Sequence, residues 1–527
     1  MTNGGRDTLA GRILKRAQDE PNRRAVVCDD HSLSYRELVS RASACAGRLQ
    51  TLGLEPGGSQ RVGLLSANSL DFAVVVVACQ LSGVPVVPLP GLVASDAQAR
   101  MIRDANVTVL FHDAKNAERA HVAISLLGSN SKVLIVSIGA SATRGDDQTL
   151  SFDGWLASDT SAFVLTAVND RWLSDIIYSS GTTGDPKGIA QSYAARAEQS
   201  VSISAFGVTE DTGFLQTTGL YSNFGLSSLL LSLWGGGTFF MMSKFSGPGA
   251  VEILSREKID MAWLPPATLI RTMEAPGFDQ AVHGRSCVKL CAGAPISEAQ
   301  KRQVLETWPG PFYEVFGQTE TGTLTVLAMH AVPADKLGTV GTVLPTVSLH
   351  IIDDAGRILP AGEEGEIVGH STTLMSGYHR REAANESVYW RDETGRLYIR
   401  TGDIGKLDAE GYLWLCDRKK DMIISGGYNI YPADIERVLS DHAAVFEVAV
   451  VGFASMRWGE TPVAFLTLRE GAEADGEDLR AWVNSRVGAV QRVAAVKILP
   501  ELPSGAMGKI LKRALRDRFA EVIGTLP

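Results

Sequence analysis

The chain has 527 residues, which is more than one hydrophobic core can organise, because single cores stop growing at about 250–300 residues. Hydrophobic residues make up 45% and charged residues 21% of the chain, a balance that supplies apolar cores and excludes a disordered protein. The formal net charge is -9, without a long run of like charges. A nucleic-acid partner is therefore not expected, and a globular protein of two or more packed units is predicted.

The cysteines and the apolar segments indicate where the protein is found. Six cysteines are spread over the whole length, with Cys287 and Cys291 as the only close pair. This usage favours buried thiols in a reducing compartment over disulfides or a zinc site. The N-terminus lacks the apolar segment of a secretion signal, and the apolar stretches 72–79 and 226–242 are too short or too interrupted for a membrane span. A cytoplasmic protein without an integral membrane segment is expected.

The first 90 residues predict a βαβ unit. A capping box at Ser34 and Glu37 begins a helix that Gly53 ends. Three elements follow in chain order: a strand at 61–65, a helix from 69 to about 81, and a strand at 84–87. Strands that alternate with helices in this way are typical of an α/β fold.

The same alternation continues to about residue 337. Strands are predicted near 132–138, 261–264 and 288–291, and a second capping box at Ser297 and Gln300 begins another helix. The predicted fold class is therefore α/β, with a large N-terminal domain of mostly parallel sheets flanked by helices.

After residue 337 the pattern changes twice. Short alternating strands with turn sequences at 354–356 and 408–411 predict a β-rich subdomain that extends from about 337 to 418. From about Asp421 a compact α+β domain of ordinary size is predicted. Its elements are a helix at 433–439, strands at 445–451 and 461–468, a helix at 478–487 and a basic C-terminal helix.

A loop rich in glycine and hydroxyl residues extends from Tyr178 to Gly188, after the apolar residues Ile176 and Ile177. It can direct backbone N–H groups, hydroxyls and the Lys187 ammonium at a polyphosphate. It is not a Walker A loop, since Lys187 is followed by glycine instead of Ser or Thr. Taken alone, the segment fits an ordinary turn equally well.

Six further segments follow this loop: Gly293-Ala294-Pro295, Tyr313 to Glu320, Tyr398 to Asp403, Asp417 to Asp421, Ser425 to Pro432 and Leu502 to Ile510. In this order, and over nearly the whole chain, they resemble the adenylate-forming superfamily of acyl- and aryl-CoA synthetases, peptide-synthetase adenylation domains and luciferase. The resemblance is closest to the acyl- and aryl-CoA ligases. It implies ATP, Mg²⁺ and coenzyme A as cofactors or co-substrates.

The resemblance assigns the nucleotide site. Phe316 is expected to stack on adenine, Thr319 to bind the α-phosphate, Asp403 to accept both ribose hydroxyls, Arg418 to contact ribose and α-phosphate, and Glu320 to bind Mg²⁺. Without their place in the series, Phe316 would fit a core residue and Asp403 a turn residue. The remaining nucleotide residues are Ser179, Ser180, Gly181, Thr182, Thr183, Gly184, Lys187, Gly293, Ala294, Pro295, Glu314 and Gly317, and the expected catalytic residues are Lys509, Thr182 and Glu320.

The resemblance also implies a mobile C-terminal domain. Lys509 would contact the substrate carboxylate and the phosphate during adenylation, offsetting negative charge. The chain then divides into an AMP-binding domain at 1–418, a hinge at 419–420 and a mobile domain at 421–527. The expected coenzyme A tunnel is formed by Lys420, Ser425, Gly426 and Gly427, where glycines allow close approach of a narrow ligand.

The acyl site departs from the family pattern, which usually carries Pro, an aromatic residue and His. Here Gly219 takes the place of the proline and Ser222 that of the histidine. The expected acyl-pocket residues are Tyr221, Ser222, Asn223, Phe224 and Gly225. Further walls at 265–270 and 292–295 are largely apolar, which favours an aryl or medium aliphatic acid.

Three functions remain open at this stage. The first is an ATP-dependent carboxylic acid:CoA ligase, which makes acyl-AMP and pyrophosphate and then acyl-CoA and AMP. The second is a standalone acyl-AMP ligase that transfers the acyl group to a carrier-protein thiol or an amine. The third is a non-catalytic nucleotide-binding protein, which the presence of Lys187, Glu320, Asp403 and Lys509 disfavours.

Overall fold

The structure is a computed structural model. It describes residues 8–91, 93–128, 131–139, 149–158, 163–165, 167–179, 186–419, 421–425, 428–488, 491–505, 509–523 and 526. Among these residues, no helix has both the length and the apolar character needed to cross a membrane.

The first half of the large domain alternates strands and helices. In chain order these are α1 (Leu9–Asp19), β1 (Arg24–Cys28), β2 (His31–Ser34), α2 (Tyr35–Thr51), β3 (Arg61–Leu65), α3 (Leu70–Ser82), β4 (Val86–Pro88), α4 (Ser95–Asp104), β5 (Val107–His112), α5 (Ala117–Ser125), β6 (Leu134–Ser137), β7 (Thr149–Ser151), α6 (Phe152–Ala157), β8 (Leu173–Ser179) and β9 (Lys187–Ser192).

The second half continues the alternation and ends in antiparallel strands. Its elements are α7 (Tyr193–Ser204), β10 (Gly213–Gln216), α8 (Asn223–Gly235), β11 (Thr238–Met241), α9 (Gly247–Arg256), β12 (Met261–Leu264), α10 (Pro266–Met273), α11 (Phe278–Val282), β13 (Val288–Cys291), α12 (Glu298–Thr307), β14 (Phe312–Gln318), β15 (Gly322–Ala328) and β16 (Thr342–Val343).

These elements form two large sheets. One has the strand order β16-β15-β14-β13-β12-β10-β11-β1-β2. The other continues into the next segment and has the order β19-β9-β8-β4-β3-β5-β6-β7, where β19 is Gly377–Tyr378. The central strands of both sheets pair in parallel, and antiparallel pairs lie at the edges. The prediction of an α/β fold with mostly parallel sheets is confirmed.

The β-rich region contributes to three sheets. Its strands and helix are β17 (Ser348–Ile352), β18 (Gly365–His370), β19, α13 (Glu382–Val388), β20 (Tyr389–Arg391), β21 (Leu397–Leu407) and β22 (Leu413–Arg418). Most of them form a sheet of order β17-β18-β21-β20, with β22 paired to β21. However, β16 and β19 leave this region to pair with the two large sheets. The region is therefore attached to the large domain by strand pairing.

The C-terminal part folds around its own sheet of order β24-β23-β26-β25, with β27 paired to β26. Its elements are β23 (Ile423–Ser425), β24 (Tyr428–Ile430), α14 (Pro432–Ser440), β25 (Val445–Ser455), β26 (Gly459–Leu468), α15 (Gly476–Asn484), β27 (Ala495–Ile498) and α16 (Lys512–Ile523). Apolar clusters lie on both faces of this sheet. The predicted small α+β domain is thus present.

Local sequence signals predict most element boundaries well. The bounds of β3, β12 and β13 agree with the sequence, and both capping boxes form. Strand β4 is displaced from 84–87 to Val86–Pro88, because Val86 is the first residue of β4 that pairs with β3, opposite Val62. Helix α15 ends at Asn484 instead of 487, where the Asn484 side chain turns to bond the backbone of Val493.

Candidate active site

Three side chains meet where β21, β22 and the end of β14 come together. Strands β21 and β22 place Asp403 directly opposite Arg418, and the Arg418 Nε lies 2.6 Å from Asp403 Oδ1. The Gln318 amide donates to Asp403 Oδ2 and to the Thr401 carbonyl, both at 2.8 Å. Asp403 is 6% exposed. The structure therefore brings the expected ribose carboxylate and the expected ribose arginine together.

Gln318 was not assigned a role from the sequence. It lies between Phe316 and Thr319, two residues that the resemblance did assign, and its position in that segment was the available signal. Its amide fixes the orientation of the Asp403 carboxylate from the side opposite Arg418.

A second cluster forms around Glu320, two residues after Gln318. The Tyr378 hydroxyl donates to Glu320 Oε1 at 3.0 Å, and the Lys187 Nζ lies 5.1 Å from the centre of the Tyr378 ring. Burial and the Glu320 carboxylate raise the pKa of Tyr378 well above its usual value. Tyr378 was also missed by the sequence analysis. It reaches the site because β19 pairs with β9, which begins at Lys187.

The segment between these clusters is tightly constrained. Gln191 donates to the Thr319 carbonyl at 2.7 Å. A Cβ on Gly317 would lie 2.0 Å from the Gly322 carbonyl oxygen, so only glycine fits where β14 and β15 approach each other. Phe316 is half-buried and packs against the core of the β-rich sheet. Of the predicted residues, Phe316 and Gly317 therefore lie at the end of β14, and Thr319 and Glu320 lie in the turn that follows it.

Glu314 is engaged elsewhere. Its carboxylate is buried and pairs with Lys301 at 2.5 Å. The same ammonium donates to the carbonyls of Leu337 and Thr339. This ion pair joins β14 to α12, so the packing of that helix orients the Glu314 side chain.

The described residues include the two ends of the nucleotide loop and the first residue of the expected hinge. Lys187 and the backbone of Ser179 belong to the hairpin of β8 and β9. Gly293, Ala294 and Pro295 follow β13, with Gly293 in the left-handed region at φ +92°. Predicted residues outside the described part of the chain are Ser180, Gly181, Thr182, Thr183, Gly184, Lys420, Gly426 and Gly427.

The acyl-pocket residues have distinct local roles. The Ser222 hydroxyl caps α8 by accepting from the Gly225 N–H at 3.0 Å, and it donates to the Gly219 carbonyl at 2.8 Å. Phe224 packs against Trp263, with ring centres 4.8 Å apart. Tyr221 is partly buried, which raises its pKa. The serine at the usual histidine position therefore serves as a helix cap.

Tyr221 occupies space that only glycine at position 219 leaves open. A Cβ on Gly219 would lie 2.2 Å from Tyr221 Cε1. Similarly, a Cβ on Gly225 would lie 2.3 Å from the Gly219 carbonyl oxygen. The two departures from the family pattern, at 219 and 222, thus belong to one local packing arrangement.

A buried ion pair joins β8 to α7 and contacts the acyl segment at the start of α8. Arg196 on α7 pairs with Asp175 on β8 through two contacts of 2.8 and 2.5 Å. Its NH1 also donates to the side chains of Asn223 and Ser227 on α8. Asp175 is fully buried and Arg196 is 4% exposed. The sequence analysis missed this pair because the partners come from separate elements.

Replacing Arg196 by Met should destabilise the large domain by about 3–5 kcal/mol, because it leaves the Asp175 charge buried without its partner. The double variant Asp175→Leu, Arg196→Met should lose less stability, because it leaves no unpaired charge in the core. Removing the arginine of the exposed Arg480–Glu477 pair should cost below about 1 kcal/mol. Urea titration checks all three variants, and equal losses for Arg196→Met and Arg480→Met would contradict this account.

The C-terminal lysine loop is a short closed turn. The Gly505 N–H donates to the Lys509 carbonyl at 2.7 Å, and the Leu511 N–H donates to the Pro503 carbonyl at 2.7 Å. The Lys509 side chain is exposed. Ser425 ends β23 and is buried. The loop is thus held by its backbone.

The junction between the two domains carries several ionic contacts. Asp417 accepts from the Ala433 N–H at 2.9 Å, and burial raises the pKa of its carboxyl. Lys419, the first residue of the expected hinge, pairs with Asp354 and Glu366. These contacts hold β22 against the β-rich sheet on one side and α14 on the other.

A magnesium ion would find few protein ligands in this site. Among the described residues, no group of three or more His, Cys, Asp or Glu side chains could hold a metal. Mg²⁺ commonly uses one or two carboxylates together with substrate phosphates and water. The Glu320 carboxylate, held by Tyr378, fits that single-ligand role.

Family models match most of the chain. The model described as AMP-binding enzyme matches residues 13–379, and the one described as AMP-binding enzyme C-terminal domain matches residues 434–509. The chain belongs to the family of AMP-binding enzymes. This result confirms its assignment to the adenylate-forming superfamily, near the acyl- and aryl-CoA ligases, and its nature as an enzyme of the acid–thiol ligase type.

Individual relatives act on different acceptors. The chain is 30% identical to a 2-succinylbenzoate–CoA ligase of Bacillus licheniformis, over 95% of this chain and 98% of the relative. It is 29% identical to the fatty acid–[acyl-carrier-protein] ligase ScoC of Streptomyces coeruleorubidus, over 97% of this chain and 96% of the relative. The structure of the amide bond synthetase McbA from Marinactinospora thermotolerans superposes with a TM-score of 0.83 at 27% identity, over 97% and 100%.

Proposed function

We propose that this AMP-binding enzyme is an ATP-dependent carboxylic acid:CoA ligase. The observation that carries the proposal is the connection between its two clusters. Gln318 belongs to the cluster with Asp403 and Arg418, and Glu320 belongs to the cluster with Tyr378 and Lys187. This connection supports a ribose site at Asp403 and a phosphate site at Lys187, with Thr319 in the segment that joins the two clusters.

In the first half-reaction, a carboxylate oxygen of the acid attacks the α-phosphorus of ATP. The bond from that phosphorus to the bridging oxygen breaks, and pyrophosphate leaves with the electron pair. Asp403 holds the ribose, while Arg418 and Lys509 offset the negative charge that builds up around the α-phosphate. Mg²⁺, when bound at Glu320, supplies further charge stabilisation at the phosphates.

In the second half-reaction, the sulfur of coenzyme A attacks the acyl carbon of the acyl-AMP. The acyl C–O bond breaks, AMP leaves with the electron pair, and the thiol proton is lost to solvent. Lys509 and the segment Ser425–Gly427 belong to the same small domain but serve different steps. Rotation of that domain about Lys420 is therefore part of the proposal.

The acid is proposed to be an aryl or medium aliphatic carboxylic acid. The predicted pocket residues at 221–226 and 265–270 supply aromatic and aliphatic side chains and no charge, which suits an apolar acyl group. The relative with 30% identity that acts on 2-succinylbenzoate is consistent with an aromatic acid.

Replacing Gly219 by Ala should lower kcat/KM for the best acid by about tenfold, because the new Cβ would displace the Tyr221 ring within the acyl pocket. The KM for ATP should hardly change. Gly488→Ala, whose Cβ would make only an ordinary contact at 3.4 Å, is the matched control. Pyrophosphate release with a panel of acids measures the effect. An unchanged kcat/KM for the best acid would contradict the placement of Tyr221 in the acyl pocket.

The proposed acceptor is tested by omitting coenzyme A. With a suitable acid and MgATP, steady AMP release should require coenzyme A and yield an acyl-CoA that mass spectrometry detects. A carrier-protein thiol or an amine is the alternative acceptor, which the ScoC and McbA relatives favour. Steady turnover with an amine or a carrier protein, and no acyl-CoA product, would replace the proposal by that alternative.

A further inference from the structure

A cleft of about 330 Å³ opens beside the base of the glycine loop. Tyr178, the first residue of the loop, and Pro186, just before Lys187, both line the cleft. The cleft is lined by Arg100, Met101, Arg103, Asp104, Tyr178, Pro186, Arg380 and Arg381. Helix α4 provides the first half of this set, and the turn after β19 provides the two adjacent arginines. Four arginines and one carboxylate therefore line the cleft, and one of the arginines, Arg103, also donates to the Leu126 carbonyl at 3.1 Å.

That carboxylate is already fully engaged. Asp104 Oδ2 accepts from the Tyr178 hydroxyl at 2.6 Å, and Oδ1 lies 3.2 Å from the Arg381 NH1. Arg380 NH1 donates to the Asp104 backbone carbonyl at 3.2 Å. The single negative charge in the cleft thus offsets one arginine, and the lining keeps an excess of positive charge.

Among the neighbouring groups, Arg61 adds to this excess, whereas Asp96 offsets the charge of Arg100. Arg61 is 7% exposed and donates to the carbonyls of Gly58 and Gln60. Burial and the nearby Arg380 charge lower the pKa of Arg61. Arg100 pairs with Asp96 at 2.8 Å, outside the lining. His379 faces Asp104, Arg380 and Arg61, and burial lowers its pKa.

Arg380 is held in an uncommon conformation. Its φ of +51° lies in the left-handed region, which residues other than glycine rarely adopt. This backbone turns two successive arginines toward α4. Positive charges collected in this way repel one another unless an anion binds between them.

We propose that this cleft binds a phosphate-bearing anion, and that the pyrophosphate released by adenylation is its source. The planar guanidinium groups of arginine match pairs of phosphate oxygens, and the cleft holds about ten water volumes of ~30 Å³ each. This inference rests on the proposed function, which places the β- and γ-phosphates at Lys187, one residue from Pro186. The diphosphate and 3′-phosphate of coenzyme A have the same chemistry and are the second source to test.

The test measures anion binding by calorimetry on the full chain saturated with α,β-methylene-ATP, which fills the nucleotide site. Inorganic pyrophosphate is titrated in one arm and adenosine 3′,5′-bisphosphate, a fragment of coenzyme A, in the other. Arg103→Gln and Arg380→Gln should each weaken pyrophosphate binding about tenfold. Arg357→Gln, at an exposed turn far along the chain in sequence, is the matched control and should change nothing. Melting temperatures confirm that each variant folds.

The outcomes separate the two sources and the two proposals. If the arginine variants weaken the binding of pyrophosphate, with or without that of the bisphosphate, the leaving group is supported as the ligand. If they weaken the binding of the bisphosphate alone, pyrophosphate is overturned as the source in favour of coenzyme A. If Arg103→Gln and Arg380→Gln change the binding of neither anion, the site is overturned. Because the titration needs no acid, a chain that binds the anion here but makes no acyl-AMP would refute the proposed function and leave the site standing.

Discussion

Replacing Lys509 by Ala should slow acyl-AMP formation by about 10²–10³-fold, while transfer from a supplied acyl-AMP to coenzyme A stays near the wild-type rate. The reason is that the substrate carboxylate and the α-phosphate are both anionic and must approach each other only in the first half-reaction. An ammonium group at that point stabilises the transition state, and it has no comparable task when a thiol attacks the acyl carbon.

The structure indicates that this loss would not come from unfolding. The loop that carries Lys509 is closed by backbone hydrogen bonds from Gly505 and Leu511, and the Lys509 side chain is exposed. An alanine at position 509 keeps both of these backbone hydrogen bonds. The free energy of unfolding of the variant should fall by less than about 1 kcal/mol, because contacts of exposed charged side chains contribute little to stability, and a thermal melt checks this.

Single-turnover measurements of each half-reaction check this prediction. Lys497→Ala, which removes an exposed lysine from β27 of the same domain, is the matched control and should leave both rates unchanged. An equal loss in both half-reactions of Lys509→Ala would show that the lysine acts on the whole domain or on a shared step.

The elements that the sequence predicts best are those fixed by neighbouring residues. The capping boxes at Ser34 and Ser297 form because both partners lie within one helical turn. Strands β3, β12 and β13 are short, mostly apolar strands with parallel neighbours, where burial on both faces sets their length.

The parts of the site that the sequence missed depend on pairing between distant segments. Tyr378 reaches Glu320 because β19 joins the sheet that carries β9, and no periodicity in the sequence around Tyr378 indicates this. The Asp175–Arg196 pair joins a strand to the helix that follows the next strand. Gln318 and Asp403 are 85 residues apart. Such contacts follow from topology, which local patterns specify only in part.

Removing the Asp403 carboxylate should abolish the distinction between ATP and 2′-deoxy-ATP. In the structure this buried carboxylate accepts from Arg418 and Gln318, and a carboxylate has about four acceptor sites, enough for ribose hydroxyls as well. A hydrogen bond to a charged group is worth about 1.5–3 kcal/mol. The wild-type enzyme should therefore lose roughly 10- to 100-fold in kcat/KM on 2′-deoxy-ATP.

With ATP, the kcat/KM of Asp403→Ala should fall at least as far below the wild-type value. Its kcat/KM with 2′-deoxy-ATP should then lie within about threefold of its value with ATP, because the acceptor of the hydroxyl is gone. Gln318→Leu is the matched control: it removes a neighbour that orients the carboxylate but keeps the carboxylate, so its kcat/KM should fall for both nucleotides while their ratio stays close to the wild-type value. The measurement compares the pyrophosphate-release rates of the wild type and the two variants with ATP and with 2′-deoxy-ATP. If Asp403→Ala discriminates between the nucleotides as strongly as the wild type does, the ribose 2′-hydroxyl is bound by another residue, and the carboxylate acts only by holding Arg418 in place.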